Sequence, residues 1–192
     1  MKDILIINGH PDSESYVTAL SKAYEQGAIS KNAKVDRIDI GSLDFNPNLS
    51  FGYRKVSPLE PDLEAAIAKI NKADHIVWFF PVWWYGYPAI MKGFIDRVFL
   101  PGIAFKYNGK PVPEKLWKGK TGHLILTADT PRWYSRLFMK DPAINQMKKG
   151  TLQFSGISPV KVTYISPIRH STEQFREKWL RKVYHLGQKR LG

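Results

Sequence analysis

The sequence predicts an α/β fold: a doubly wound five-stranded parallel sheet with helices on both faces. Three observations carry this. Strand-like runs alternate with amphipathic helical stretches along the chain; Ile76, Val77, Trp78, Phe79 and Phe80 form a continuous apolar run, as a strand buried on both faces must; and no repeat, low-complexity tract or linker divides the 192 residues. A single domain over residues 1–192 follows. A chain of this length buries roughly 70% of its unfolded surface and forms its own core.

The first strand, residues 3–8, breaks at Gly9-His10-Pro11-Asp12-Ser13-Glu14-Ser15. An amphipathic helix follows, with Val17, Leu20 and Tyr24 on one face. Strand, short polar loop and helix N-terminus together suit phosphate, because the first N–H groups of the helix are unpaired and its dipole favours an anion. His10 and Ser15 are candidate further donors, although Ser13 or Ser15 also reads as an ordinary helix cap and His10 as a surface residue. Neither G-x-G-x-x-G nor G-x-x-x-x-G-K-[ST] follows this strand, so the two commonest nucleotide fingerprints are absent.

Residues 34–40 alternate apolar and polar, as an edge strand does. The segment from Gly41 to Pro58 is rich in turn formers, and its Phe51-Gly52-Tyr53-Arg54 is a candidate cover for a ligand or a partner subunit. Pro61 starts a helix that buries Leu63, Ile67 and Ile70 and leads to the central strand. That strand ends at Pro81. Pro88 then opens a helix at its first position, and Ile90, Met91, Phe94, Ile95 and Val98 recur with helical spacing.

Between strand and helix lie Trp83, Trp84, Tyr85, Gly86 and Tyr87. Ligands of open parallel sheets bind at the carboxyl ends of strands, so these rings serve either as a flat wall for a planar aromatic ligand or as a cap on the core or a subunit contact. After a Pro- and Lys-rich loop, residues 123–127 give the fourth strand, with Thr127, Ala128 and Asp129 at its exit. Residues 142–156 predict a helix ended by glycine, with Ile144, Met147, Leu152 and Phe154 as candidates for burial. Residues 160–165 give the fifth strand. A last helix opens with a capping box at residues 171–174 and buries Phe175, Trp179, Val183 and Leu186.

Composition excludes several classes. With no cysteine, disulfides, thiolate catalysis, iron–sulfur clusters and cysteine zinc sites are ruled out, and no metal site is expected. No run reaches membrane length and no signal peptide is read at the N-terminus, which predicts a cytoplasmic protein without membrane insertion. The net charge of +12 concentrates late in the chain, from Lys106 through Lys110, Arg132 and Arg136 to Lys149 and again from Arg176 to Arg190. It reads as a solvated basic surface or as attraction for a phosphorylated dinucleotide; no nucleic-acid module is recognised, and no nucleic-acid partner is expected.

Residues 81–99 resemble, without a gap, the flavin-wall loop and helix of the flavodoxin-like NAD(P)H:quinone oxidoreductases, whose pattern runs roughly P-x-x-W-(F/Y)-G-x-P-A-x-x-K-G-(F/W)-x-(D/E)-R-V-F. Residues 9–15 are similar to the G-H-P-x-x-x-S phosphate loop of the same family. The resemblance spans most of the chain and implies a flavodoxin-like strand order, 2-1-3-4-5, which brings the ends of the first, third and fourth strands together. It implies a flavin, FAD or alternatively FMN, with NAD(P)H as co-substrate. The implied reaction is two-electron hydride reduction of quinones or similar acceptors through flavin N5, by a ping-pong mechanism, in a homodimer with the flavin at the interface.

By the same resemblance, His10, Ser15, Tyr16 and Val17 hold the cofactor's phosphate end, Pro81, Val82, Trp83, Trp84 and Tyr85 its ring system, and Thr127, Ala128 and Asp129 its polar rim. Tyr107 and Tyr134 are the catalytic candidates, Tyr107 either reaching a substrate pocket, often that of the partner subunit, or standing as an exposed loop tyrosine. Two departures stand out. Val17 replaces a usual asparagine, and a T-T-G-G exit is replaced by Thr127-Ala128-Asp129-Thr130, without either glycine. Asp129 either lowers the flavin potential by its charge or merely turns and caps the loop. A family histidine that assists proton transfer has no counterpart after Tyr134. A flavodoxin-type electron carrier and a redox-sensing regulatory subunit of a transporter are the rival functions.

Overall fold

The structure, a computed structural model, describes residues 3–55, 57–109 and 111–189; Met1, Lys2 and the basic residues Lys110 and Arg190 lie outside them. The central sheet contains β1 (Asp3–Asn8), β2 (Lys34–Asp39), β3 (His75–Pro81), β6 (Thr121–Thr127) and β7 (Val160–Ile165), all parallel, in the order β2-β1-β3-β6-β7. This is the predicted order, because the two intervening strands, β4 (Phe105–Lys106) and β5 (Glu114–Lys115), pair only with each other. That short antiparallel ribbon lies in the Pro- and Lys-rich loop and has no apolar run to announce it.

Every residue of β3 is buried, as its composition requires. One face of the sheet carries Leu5, Ile7, Trp78, Phe80, Leu124 and Leu126 under α2 (Pro61–Lys72) and α3 (Ala89–Val98). The other carries Ile4, Ile6, Val77, Phe79 and Ile125 under α1 (Tyr16–Ile29) and α6 (Glu173–Gln188). The alternation of strand side chains thus divides the core into two layers.

Three helices depart from expectation. Pro88 is the residue before α3, supplying an extended entry where position one was predicted. The predicted helix at residues 142–156 begins as α5 (Pro142–Asn145) and continues as a π-helix, Gln146–Gln153, in which Thr151 Oγ1 bonds the Gln146 carbonyl five residues back at 3.1 Å. The wider turn brings Met147 and Leu152, five apart, to the core together, and leaves Phe154 exposed. α6 is capped by Thr172, whose Oγ1 accepts from Phe175 N, so the reciprocal box predicted from Ser171 does not form. Of its four predicted apolar residues only Val183 is fully buried; Phe175, Trp179 and Leu186 pack partly covered.

A further short helix, α4 (Arg132–Leu137), follows β6. The turn-rich segment after β2 is fastened to α3. Buried Arg97 donates to the Asn46 and Pro58 carbonyls at 2.5 and 2.8 Å and pairs with Glu60 at 2.8 Å. A Cβ on Gly93 would come within 2.7 Å of the Pro47 carbonyl oxygen, so only glycine lets this segment lie flat on the helix.

Candidate functional site

The register places Asn8 opposite Phe79 and Pro81 opposite Thr127, so β1, β3 and β6 end side by side. Each outgoing loop is then tied to its neighbour. Gly9 N donates to the Phe79 carbonyl at 2.7 Å, Val82 N to Thr127 at 2.7 Å, and Ala128 N to Ile165 at 2.9 Å. The three loops enclose a cleft of about 220 Å³.

At one end stand His10, Ser15, Tyr16 and Val17. Their positions are set by Asn8, a buried residue that the sequence did not single out: its amide donates to Thr18 Oγ1 at 2.9 Å and Asp39 at 3.0 Å, and its carbonyl accepts from His10 N at 3.2 Å. Thr18 Oγ1 gives its proton to the Asp12 carbonyl, so at the 3.0 Å contact between the two hydroxyls Ser15 is the donor. Ser15 Oγ also accepts from Thr18 N at 3.2 Å. Its hydroxyl is therefore consumed as the α1 cap, and what it leaves for a ligand is the geometry of the helix start.

The N–H groups of Tyr16 and Val17 occupy the first two helical positions and find no carbonyl among the described residues. No acidic residue sits in that first turn. Val17 thus contributes a backbone donor although its side chain is buried. The Asp12 N–H donates to His10 Nδ1 at 3.0 Å, which leaves the imidazole proton on Nε2 as a donor. Burial lowers the His10 pKa, against the opposing charge of Asp12, and keeps the ring neutral near pH 7. Burial pushes Tyr16 up to about 12, with Arg176 opposing, and its hydroxyl donates to the Arg176 carbonyl at 2.8 Å. This end offers two free amides, a helix dipole and a neutral imidazole N–H, a donor set that fits an anionic phosphate.

The floor is Pro81, Val82 and Trp83. Trp83 meets His10 edge to face at 5.5 Å and so links the first two loops. Beyond it the chain reverses in a two-residue turn: Trp83 and Gly86 exchange N–H to carbonyl bonds at 3.1 and 2.8 Å, while Trp84 and Tyr85 take φ of 49° and 57°. Two bulky residues in left-handed backbone store strain of about 1–2 kcal/mol each. Neither lines the cleft. Trp84 is 97% exposed, and Tyr85 fits a small cavity against Ser135, Asp141 and Tyr164.

Thr127, Ala128 and Asp129 form the third side with Ile168, from the segment after β7, which the sequence reading missed because it leaves from an outer strand. The Asp129 carboxylate accepts from Arg169 N at 2.7 Å, and the Arg169 guanidinium lies 3.6 Å away. Asp129 therefore ties two loops together while bordering the cleft. Tyr107 and Tyr134 are not brought in. Tyr107, 67% exposed, lines a separate groove of about 360 Å³ with Tyr53 and Phe105, and Tyr134 stacks on Phe138 at 5.1 Å. No cluster of potential metal ligands occurs among the described residues, and no helix there is long and apolar enough to cross a membrane.

A family profile described as flavodoxin-like fold matches residues 2–185. The chain belongs to that family. Among its relatives, an uncharacterized NAD(P)H oxidoreductase of Haemophilus influenzae is 28% identical, over 97% of this chain and 95% of that protein. The NAD(P)H dehydrogenase [quinone] 1 of Rattus norvegicus is 25% identical, over 93% of this chain and 75% of its own length. The solved structure of Smu.1420 from Streptococcus mutans UA159 superposes with a TM-score of 0.83 at 31% identity, covering 97% and 98% of the two chains.

Proposed function

We propose that this protein is a flavin-dependent NAD(P)H oxidoreductase that reduces quinones or similar acceptors. One observation carries the reading: an anion-binding loop, an aromatic-edged floor and a polar rim, from three different strands, border a single cleft. The names of its relatives in Haemophilus influenzae and Rattus norvegicus support the same class. A bound flavin would supply the chemistry, accepting a hydride from the nicotinamide and passing two electrons to the acceptor.

The chain's own part is to hold and to shield. Tyr16 and Val17 N–H and His10 Nε2–H would bind the phosphate end, Pro81, Val82 and Trp83 would lie along the ring system, and Thr127, Ala128 and Asp129 would border its polar edge. FAD is the flavin the resemblance favours, with FMN the alternative. Nicotinamide and acceptor would use one place in turn, a ping-pong scheme. The chain would work as a homodimer with the flavin at the interface, and Tyr107, exposed in a groove apart from its own cleft, would there reach the second copy.

Steady-state rates measured over a grid of NADPH and menadione concentrations test the scheme. Parallel double-reciprocal lines are expected; intersecting lines would exclude a shared pocket. Failure to oxidise NADH or NADPH with the flavin bound would return the electron-carrier reading.

A further inference from the structure

Next to the cleft lies a wider, shallower shelf of about 670 Å³, lined by Pro131, Arg132, Trp133, Arg136, Ser166 and Pro167. The chain segments that carry Asp129 and Ile168 in the cleft carry Pro131 and Pro167 in the shelf, so the two adjoin. Along α4, Arg132 and Arg136 are one turn apart and share a side. Arg132 is held in place: it pairs with Asp141, which also accepts from Ser135 Oγ at 2.8 Å, and its guanidinium lies 5.0 Å over the Tyr164 ring. Arg136 is exposed and forms no hydrogen bond or ion pair among the described residues; Asp141 feels it only through its field.

Trp133 presents an indole that is 60% exposed, propped by Tyr134 at 5.7 Å and Phe138 at 6.1 Å. A supported indole face beside a fixed and an uncommitted guanidinium has the chemistry to take a flat heterocycle that bears a phosphate. We propose that the shelf binds the adenosine 2′-phosphate end of NADPH while the nicotinamide reaches the cleft. Trp133 stacks on the adenine, and Arg136, beside Arg132, binds the 2′-phosphate. This rests on the redox reading of the cleft and adds to it that NADPH, rather than NADH, is the reductant.

Calorimetric titration of the purified protein with adenosine 2′,5′-bisphosphate and with adenosine 5′-monophosphate tests it without any redox step. The bisphosphate is expected to bind roughly 10- to 100-fold more tightly, as one charge-assisted hydrogen bond or more provides. Arg136→Gln should abolish that difference, and Trp133→Ala should weaken both nucleotides; melting temperatures check that each variant folds. Equal binding of the two nucleotides, or a difference that survives Arg136→Gln, overturns the proposal. A colourless protein that still prefers the bisphosphate would sink the flavin reading and keep the shelf. A yellow protein indifferent to the 2′-phosphate would do the reverse.

Discussion

The loops that leave β1 and β6 border the same cleft and are built in opposite ways. In the first, Asn8, His10, Asp12, Ser15 and Thr18 satisfy one another, and the donors left over are backbone amides and one imidazole N–H. In the second, Thr127 and Ala128 are fixed to the sheet, but α4 beyond them leaves Trp133, Leu137, Phe138 and Arg136 exposed. A loop with its side chains spent internally is rigid and suits one constant group, such as a phosphate that stays bound. A loop with side chains unspent suits a ligand that arrives and departs.

Four experiments break or sharpen that contrast. The largest effect concerns β6, which must stay seated for its loop to be read separately. Burial, reinforced by the charge of Lys161, lowers the His123 pKa from 6.5 to about 4. Below pH 6.5 the unfolded chain takes a proton that the folded chain refuses, so stability falls as pH drops through this window, by roughly 3 kcal/mol in total, and levels off below about pH 4. Urea melts from pH 7 to 4 should show this slope in the wild type and a much flatter one in His123→Asn.

Next is the closed loop. Asn8→Ala leaves the His10 amide and Thr18 without their buried partner and should cost about 1–3 kcal/mol while releasing any bound flavin. A variant that keeps its flavin with lost stability would separate the network from the site. Third, replacing Trp84 and Tyr85 together by Asn and Gly removes side chains from left-handed backbone and should raise stability by about 1 kcal/mol in thermal melts. If the rings serve turnover, NADPH oxidation falls at the same time; a stabler and equally active variant would make them dispensable. Smallest is Asp129→Asn, which weakens an exposed pair with Arg169 and should change stability by less than about 1 kcal/mol.

Much of the contrast was legible in the sequence. The buried run of β3, the Gly9 to Ser15 loop and the exit at Thr127 have local signatures, an unbroken apolar strand, a capped helix start and a strand end, and each lies where its pattern placed it. What the pattern misses depends on partners distant in the chain. Asn8 looks like the last residue of a strand until Thr18 and Asp39 surround its amide. Ile168 and Arg169 enter only because β7 pairs with β6. The four rings of the wall loop read as one unit, but the turn at Trp84 and Tyr85 divides them: Trp83 faces the cleft, Tyr85 a small cavity, Trp84 solvent and Tyr87 the core.

The central claim is that the amides of Tyr16 and Val17 hold a flavin by its phosphate. An absorbance spectrum of the purified protein, saturated with FAD and FMN in turn and desalted, followed by mass measurement of what acid releases, tests it most directly. One flavin per chain is predicted, with spectral bands of the bound cofactor. A protein that emerges colourless from both incubations would contradict it.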